Sequence, residues 1–287
     1  MVARKLEPIL KDLALKFPVV TITGPRQSGK TTICRRVFPH KPYVNLEPLD
    51  IRQLAVDDPR GFLRRYPEGA VLDEIQNAPD LLSYIQPLVD SEDKEGMFIL
   101  TGSRQFEVLE AVNKTLAGRT ALLRLLPFTM KELRGVRPDL TIDELIYSGF
   151  YPRIHDKRLD PSQALGDYIE TYVERDLRKI VGIKNLGLFH KFLKLCAGRS
   201  GHLLNMQSLA SDTGISHTTV AEWIGVLEAS YIIFLLQPLY ENISKRLVKS
   251  PKIYFYDVGL AAFLLGIENS SQVATHPLRG NLFENMA

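Results

Sequence analysis

The sequence predicts an α/β protein: a mostly parallel, doubly wound sheet, then a helical region, then a helix–turn–helix block with a strand behind it. Three observations carry that expectation. Short apolar runs recur through the first 126 residues, separated by helical patterns or loops, as parallel strands with crossovers require. The first run leads straight into a glycine-rich turn and a helix-compatible segment. Further along, Leu203 to Leu239 have the rhythm of two helices joined by Gly214-Ile215-Ser216.

Taken in order, residues 4–16 read as an amphipathic helix with Leu6, Ile9, Leu10 and Leu13 on one face. Strands are expected at Val19–Thr23, Tyr43–Leu46, Ala70–Leu72, Met97–Thr101 and Thr120–Leu126, with helical patterns at Thr32–Val37, Leu81–Val89 and Phe106–Leu116. Pro127-Phe128 ends the last strand. From Thr129 to Val181 the pattern is helical and heavily charged. Leu186–Ala197 and Met206–Asp212 read as helices, and Ser216 as the N-cap of a third at Thr218–Ser230. The run Tyr231–Leu236 returns as a strand and completes a winged helix-turn-helix pattern. Apolar patterning resumes at Ile253–Tyr256 and Leu260–Leu265, so residues 251–287 read as a further domain entered and cut short. The expected division is 1–128, 129–181, 182–250 and 251–287.

Bulk properties set limits. A chain of 287 residues with 45% hydrophobic and 24% charged content is globular and too long for one small core. Its net charge of +3 is too small to argue for nucleic acid or membrane. The longest apolar run, Tyr231–Leu236, is far too short to span a bilayer. Glu7 and Pro8 stand where a secretory segment would be apolar. Cys34 and Cys196 lack metal-ligand spacing and fit a reducing compartment, and the six histidines form no zinc pair. The expected setting is the cytoplasm, with no membrane partner.

The chemistry starts at Gly24-Pro25-Arg26-Gln27-Ser28-Gly29-Lys30-Thr31, the phosphate-binding loop pattern of P-loop NTPases. The glycines let the backbone close so that its N–H groups cradle phosphates, and the following helix, through Thr32, aims its positive end at the anion. Lys30 is expected on the β- and γ-phosphates and Thr31 on Mg²⁺. The third strand delivers Asp73-Glu74: Asp73 would share the Mg²⁺ shell with Thr31, and Glu74 would polarise the attacking water. ATP and Mg²⁺ are therefore the expected cofactors. After the fourth strand, Ser103 or Thr101 could sense the γ-phosphate; a plain polar turn is the alternative. Arg119, just before the fifth strand, could serve the γ-phosphate of a neighbouring copy in a homo-oligomer, or be a surface ion pair. Asn45, ending the second strand, could hydrogen-bond Glu74 and set its orientation.

The helix–turn–helix block opens its second helix with Ser216-His217-Thr218-Thr219, small polar residues suited to a DNA groove. Bases at Arg175, Arg178, Lys179, Lys184, Lys191, Lys194 and Arg199, and the run Ser244–Lys252, could form a footprint for DNA. Against this, the second helix carries Glu222 and Glu228 and no base, and such modules also pack against proteins.

These strings together resemble a known family. GPRQSGKTT, YVNLEPLD, AVLDEIQNAPDLL, FILTGSRQF, LAGRT with LLPFT, YIETYVERDL, YFYDVGLAAFLLG and GNLFENMA look like the bacterial and archaeal AAA-type ATPases with a C-terminal domain of unknown function. The resemblance implies an AAA-plus core, a helical region, a winged helix and a restriction-endonuclease-like domain. It places the nucleotide and hydrolysis roles on Lys30, Thr31, Asp73 and Glu74, and its arginine on Arg119. Glu284 would be the nuclease-like fold's first acidic position, but its later Asp, Glu and Lys are absent, so no nuclease chemistry is expected. The functional expectation is an ATPase whose hydrolysis to ADP and phosphate moves a winged-helix module. The alternatives are a nucleotide-gated DNA-binding regulator with slow turnover, or a protein-interaction module of a defence or toxin-linked system.

Overall fold

The computed structural model describes residues 2–103, 105–173, 185–239 and 250–287. By their contacts the residues fall into two units, divided after Leu126.

In the first unit five strands form one sheet: β1 (Val19–Thr23), β2 (Tyr43–Asn45), β3 (Ala70–Asp73), β4 (Phe98–Gly102) and β5 (Thr120–Arg124). Their order is β2-β3-β4-β1-β5 and every pairing is parallel. Val19 lies level with both Phe98 and Thr120, so β1 is central, and all five of its residues are buried. Strands covered on both faces read as continuous apolar runs, which is why VVTIT and FILTG signalled so clearly. Helices α1 (Leu6–Ala14) and α2 (Lys30–Val37) pack Leu10, Ile33 and Cys34 against Val20, Ile22, Val71 and Ile99. On the other face, α3 (Leu49–Asp57), α4 (Pro59–Arg64), α5 (Leu82–Glu92) and α6 (Gln105–Thr115) pack with Val19, Leu72, Phe98 and Leu100. Because all strands run the same way, the carboxyl ends of β1, β3 and β4 lie side by side on one edge. That edge is where open parallel sheets bind ligands.

The second unit is helical around one core that includes Leu145, Phe189, Trp223, Phe255, Leu260 and Leu282. Thr129 with Glu132, and Thr141 with Glu144, form capping boxes that start its first two helices. Helices Leu186–Ala197, Met206–Thr213 and His217–Ala229 follow, the third N-capped by Ser216, whose hydroxyl accepts from the Thr219 amide at 3.0 Å. Strands β6 (Ile233–Leu236) and β7 (Lys252–Phe255) then pair antiparallel. The helix Arg279–Met286 is tied to β7 by Asn285, whose amide both accepts from the Phe255 N–H (2.8 Å) and donates to its carbonyl (2.9 Å). Glu284 pairs with Lys252 at 2.7 Å and accepts from the Tyr254 hydroxyl. The bases Arg175, Arg178, Lys179 and Lys184, and residues 244–249 of the basic run, lie outside the described residues.

One buried acid gives this unit a pH signature. Asp257 caps the helix Val258–Leu264 and also accepts from the Phe150 amide at 2.6 Å. Burial pushes its carboxyl up to about 6, although the surrounding backbone amides favour the ionised form. The folded state therefore holds this proton more tightly than the unfolded chain, whose aspartate titrates near 4. Stability is expected to fall by up to about 3 kcal/mol as pH rises from 4 through 6, and then level off. Asp257→Asn is less stable overall, because its NH₂ meets a backbone donor, and should lose this slope. Melting curves at pH 4, 5 and 7 measure both; an unchanged slope in the variant removes Asp257 as its source.

Candidate functional site

The phosphate loop is shaped by its glycines. Gly24 has φ +149°, and a Cβ there would lie 2.1 Å from the Leu125 carbonyl oxygen. Gly29, at φ +94°, N-caps α2 in the left-handed region. Both positions exclude other residues, one for space and one for conformation. Gln27 is also left-handed, at φ +62°. Arg4 fastens the loop from outside: its guanidinium donates to the Ser28 carbonyl (2.7 Å) and the Leu126 carbonyl (2.6 Å).

Lys30 opens α2 and curls back into the loop, donating to the Gly24 and Pro25 carbonyls at 2.9 Å each. Burial lowers its pKa to about 8, with the Glu74 and Asp73 carboxylates opposing the shift. Thr32 is exposed in the same first turn. Thr31 donates to Asp73 at 2.7 Å, across 42 residues of sequence. Asp73 ends β3 almost fully buried, and it also accepts from the hydroxyls of Tyr43 and Thr101. Three hydroxyl donors on one carboxylate stabilise its charge where solvent is scarce.

Glu74 follows in the left-handed region, φ +58° and ψ +48°. For a bulky residue that conformation is unfavourable, and such outliers cluster at functional sites. Glu74 accepts from Ser103 at 2.9 Å and from the Gln76 amide. The structure thus brings Lys30, Thr31, Asp73, Glu74, Thr101 and Ser103 to one sheet edge.

One expectation turns out differently in geometry. Asn45 does not orient Glu74: its side chain accepts from the Glu47 amide at 2.9 Å, a local turn that satisfies it where β2 ends. Arg119 precedes β5 at the opposite edge of the sheet, where its carbonyl accepts from the Val19 amide at 3.2 Å. Its guanidinium forms an exposed two-point ion pair with Asp90, at 2.5 and 2.9 Å. Reading the sequence missed Tyr43, Gln76 and Arg4. The first two lie inside quoted motifs, but nothing local marks them as reaching Asp73 and Glu74.

Residues 16–134, which hold the parallel sheet and the phosphate loop, match the family model of an AAA domain. Residues 139–271 match a domain of unknown function. The chain is 31% identical over 273 residues to an uncharacterized protein of Mycobacterium tuberculosis, covering 94% of this chain and 61% of that one. It is 22% identical over 303 residues to an uncharacterized protein of Methanocaldococcus jannaschii, covering 87% and 63%. It thus spans about three fifths of the length of these relatives. A Walker-type ATPase of Pyrococcus abyssi superposes with TM-score 0.59 at 14% identity, over 92% of this chain and 96% of the other, a likeness of fold. No helix among the described residues is long and apolar enough to cross a membrane.

Proposed function

We propose that this chain binds ATP with Mg²⁺ and hydrolyses it to ADP and phosphate. The observation that carries the reading is the 2.7 Å bond between Thr31 and Asp73 with Glu74 next in sequence. Hydroxyl and carboxylate oxygens are the hard donors that Mg²⁺ prefers, so the residues present fit that ion. Bound there, Mg²⁺ would neutralise charge on the phosphates. Lys30 would exchange its two loop carbonyls for phosphate oxygens, and Glu74 would orient water in line with the terminal phosphate.

The energy would be used on the second unit. Three helices followed by β6, which pairs antiparallel with β7 just beyond residue 250, support reading the block 182–250 as a winged helix. One observation favours a protein partner over DNA as what that module meets. The exposed positions at the start of helix His217–Ala229, which are Ser216, His217, Thr218, Ala221 and Glu222, include no lysine or arginine. Phosphate release measured with Mg²⁺ and with EDTA, each with and without duplex DNA, tests the whole reading. No release under any condition sinks hydrolysis, and stimulation by DNA overturns the preference for a protein.

A second prediction concerns binding alone. Lys30→Ala removes two charge-assisted bonds to phosphate, each about 1.5–3 kcal/mol, so ATP affinity should fall about 100-fold or more. Calorimetric titration measures it, and retained affinity refutes the loop assignment.

A further inference from the structure

We propose that Gln76 is a positioning residue which, with Ser103, holds the Glu74 carboxylate and makes its freedom depend on the terminal phosphate. The inference rests on the hydrolysis reading above.

Gln76 is 7% exposed and lies in the single turn that follows Glu74. Its amide Nε2 donates to Glu74 Oε2 and lies 3.4 Å from Ser103 Oγ. Ser103 donates to the same Glu74 oxygen at 2.9 Å. Three side chains, two from the end of β3 and one from the end of β4, thus close a triangle. The amide faces Glu74 with its NH₂, since a half-turn would set its carbonyl against a carboxylate.

The neighbouring strand is built to admit it. Gly102 is not one of the glycines with positive φ, so conformation does not demand it. Space does: a Cβ at Gly102 would lie 2.6 Å from Gln76 Oε1 and 2.4 Å from Val108 Cγ2. The glycine between Thr101 and Ser103 makes room for the Gln76 amide.

Ser103 has one hydroxyl proton, and in the triangle it goes to Glu74. A terminal phosphate oxygen that accepts the Ser103 hydrogen bond leaves Glu74 with Gln76 as its donor. The carboxylate is then anchored at one oxygen by a fixed amide and released from β4, free to accept from water. After phosphate leaves, Ser103 returns to Glu74. Gln76 keeps the carboxylate in place through the exchange.

The test uses the full chain. Gln76→Met keeps length and packing and removes both donors. Gly102→Ala displaces the amide from the other side without altering it. Each is expected to lower kcat about 10–100-fold, the cost of a misplaced catalytic group. Affinity for a non-hydrolysable ATP analogue should stay within about twofold. A kcat within twofold of the unmodified chain in Gln76→Met overturns the proposal. Should Gln76→Met fail to fold, the Gly102→Ala split between kcat and affinity decides. An unmodified chain that releases no phosphate overturns the hydrolysis reading and this one together. Turnover in that chain with unaffected variants overturns this one alone.

Discussion

Glu74→Gln is expected to leave ATP bound and to slow phosphate release by about 10²–10⁴-fold, the usual worth of a positioned general base. The substitution keeps the shape of the side chain, and Ser103 can still donate to an amide oxygen. What it removes is the negative charge that aligns and polarises water. The left-handed backbone at Glu74 ties the carboxylate to the sheet edge beside Asp73, which accepts from Thr31 at 2.7 Å. Single-turnover measurements separate the outcomes: ATP affinity near that of the unmodified chain with no burst of phosphate supports the role. Unchanged turnover removes Glu74 as the water-orienting group and leaves Asp73 as the nearest carboxylate to consider.

The parts of this site that the sequence shows are those fixed by contiguous residues. Lys30 and Thr31 follow the loop directly, and Asp73-Glu74 follow a buried strand, so local pattern places them. Partners brought together by sheet order are different. Tyr43 lies 30 residues from Asp73, and Arg4 reaches a carbonyl 122 residues away. Neither spacing has a signature before β2, β3, β1 and β5 take their positions. The same holds for Asn45, which ends the strand next to β3 but finds a nearer partner two residues on.

Secondary structure divides in a similar way. The five strands are legible because both faces of the central ones are covered, so apolar residues run without a break. α3 and α4 were not expected. In α3 the buried residue is Ala55, while Leu49 and Val56 are 62% and 55% exposed. Ile51 and Leu54 also pack on the core, so large apolar residues lie on both faces and blur the amphipathic pattern that identifies a helix. Residues 251–287 read as a separate beginning because their apolar runs restart after a basic stretch. In the structure Phe255, Leu260 and Leu282 belong to the same core as Phe189 and Trp223, and β7 pairs antiparallel with β6.

Arg119→Ala is expected to lower turnover about 10³-fold or more, and only where copies of the chain meet. The Arg119 carbonyl accepts from the Val19 amide at the amino end of β1, whereas Lys30 follows its carboxyl end. The five-residue strand between them is about 16 Å long, so this arginine cannot serve the nucleotide of its own chain. Its present partner, Asp90, holds it in a solvent-exposed pair, a contact that water and salt weaken and a phosphate can replace. Turnover per chain should therefore rise with protein concentration, and the variant should lose that rise. Mixing gives the sharper readout. Arg119→Ala chains keep an intact nucleotide site, and Lys30→Ala chains keep an intact arginine. Each alone should be inactive, and together they should recover part of the activity, because one supplies what the other lacks. Recovery requires a shared site between two copies. If mixing restores nothing, and the unmodified chain turns over equally fast at every concentration, Arg119 is the ion-pair partner of Asp90 and the γ-phosphate must find its positive charge within one chain.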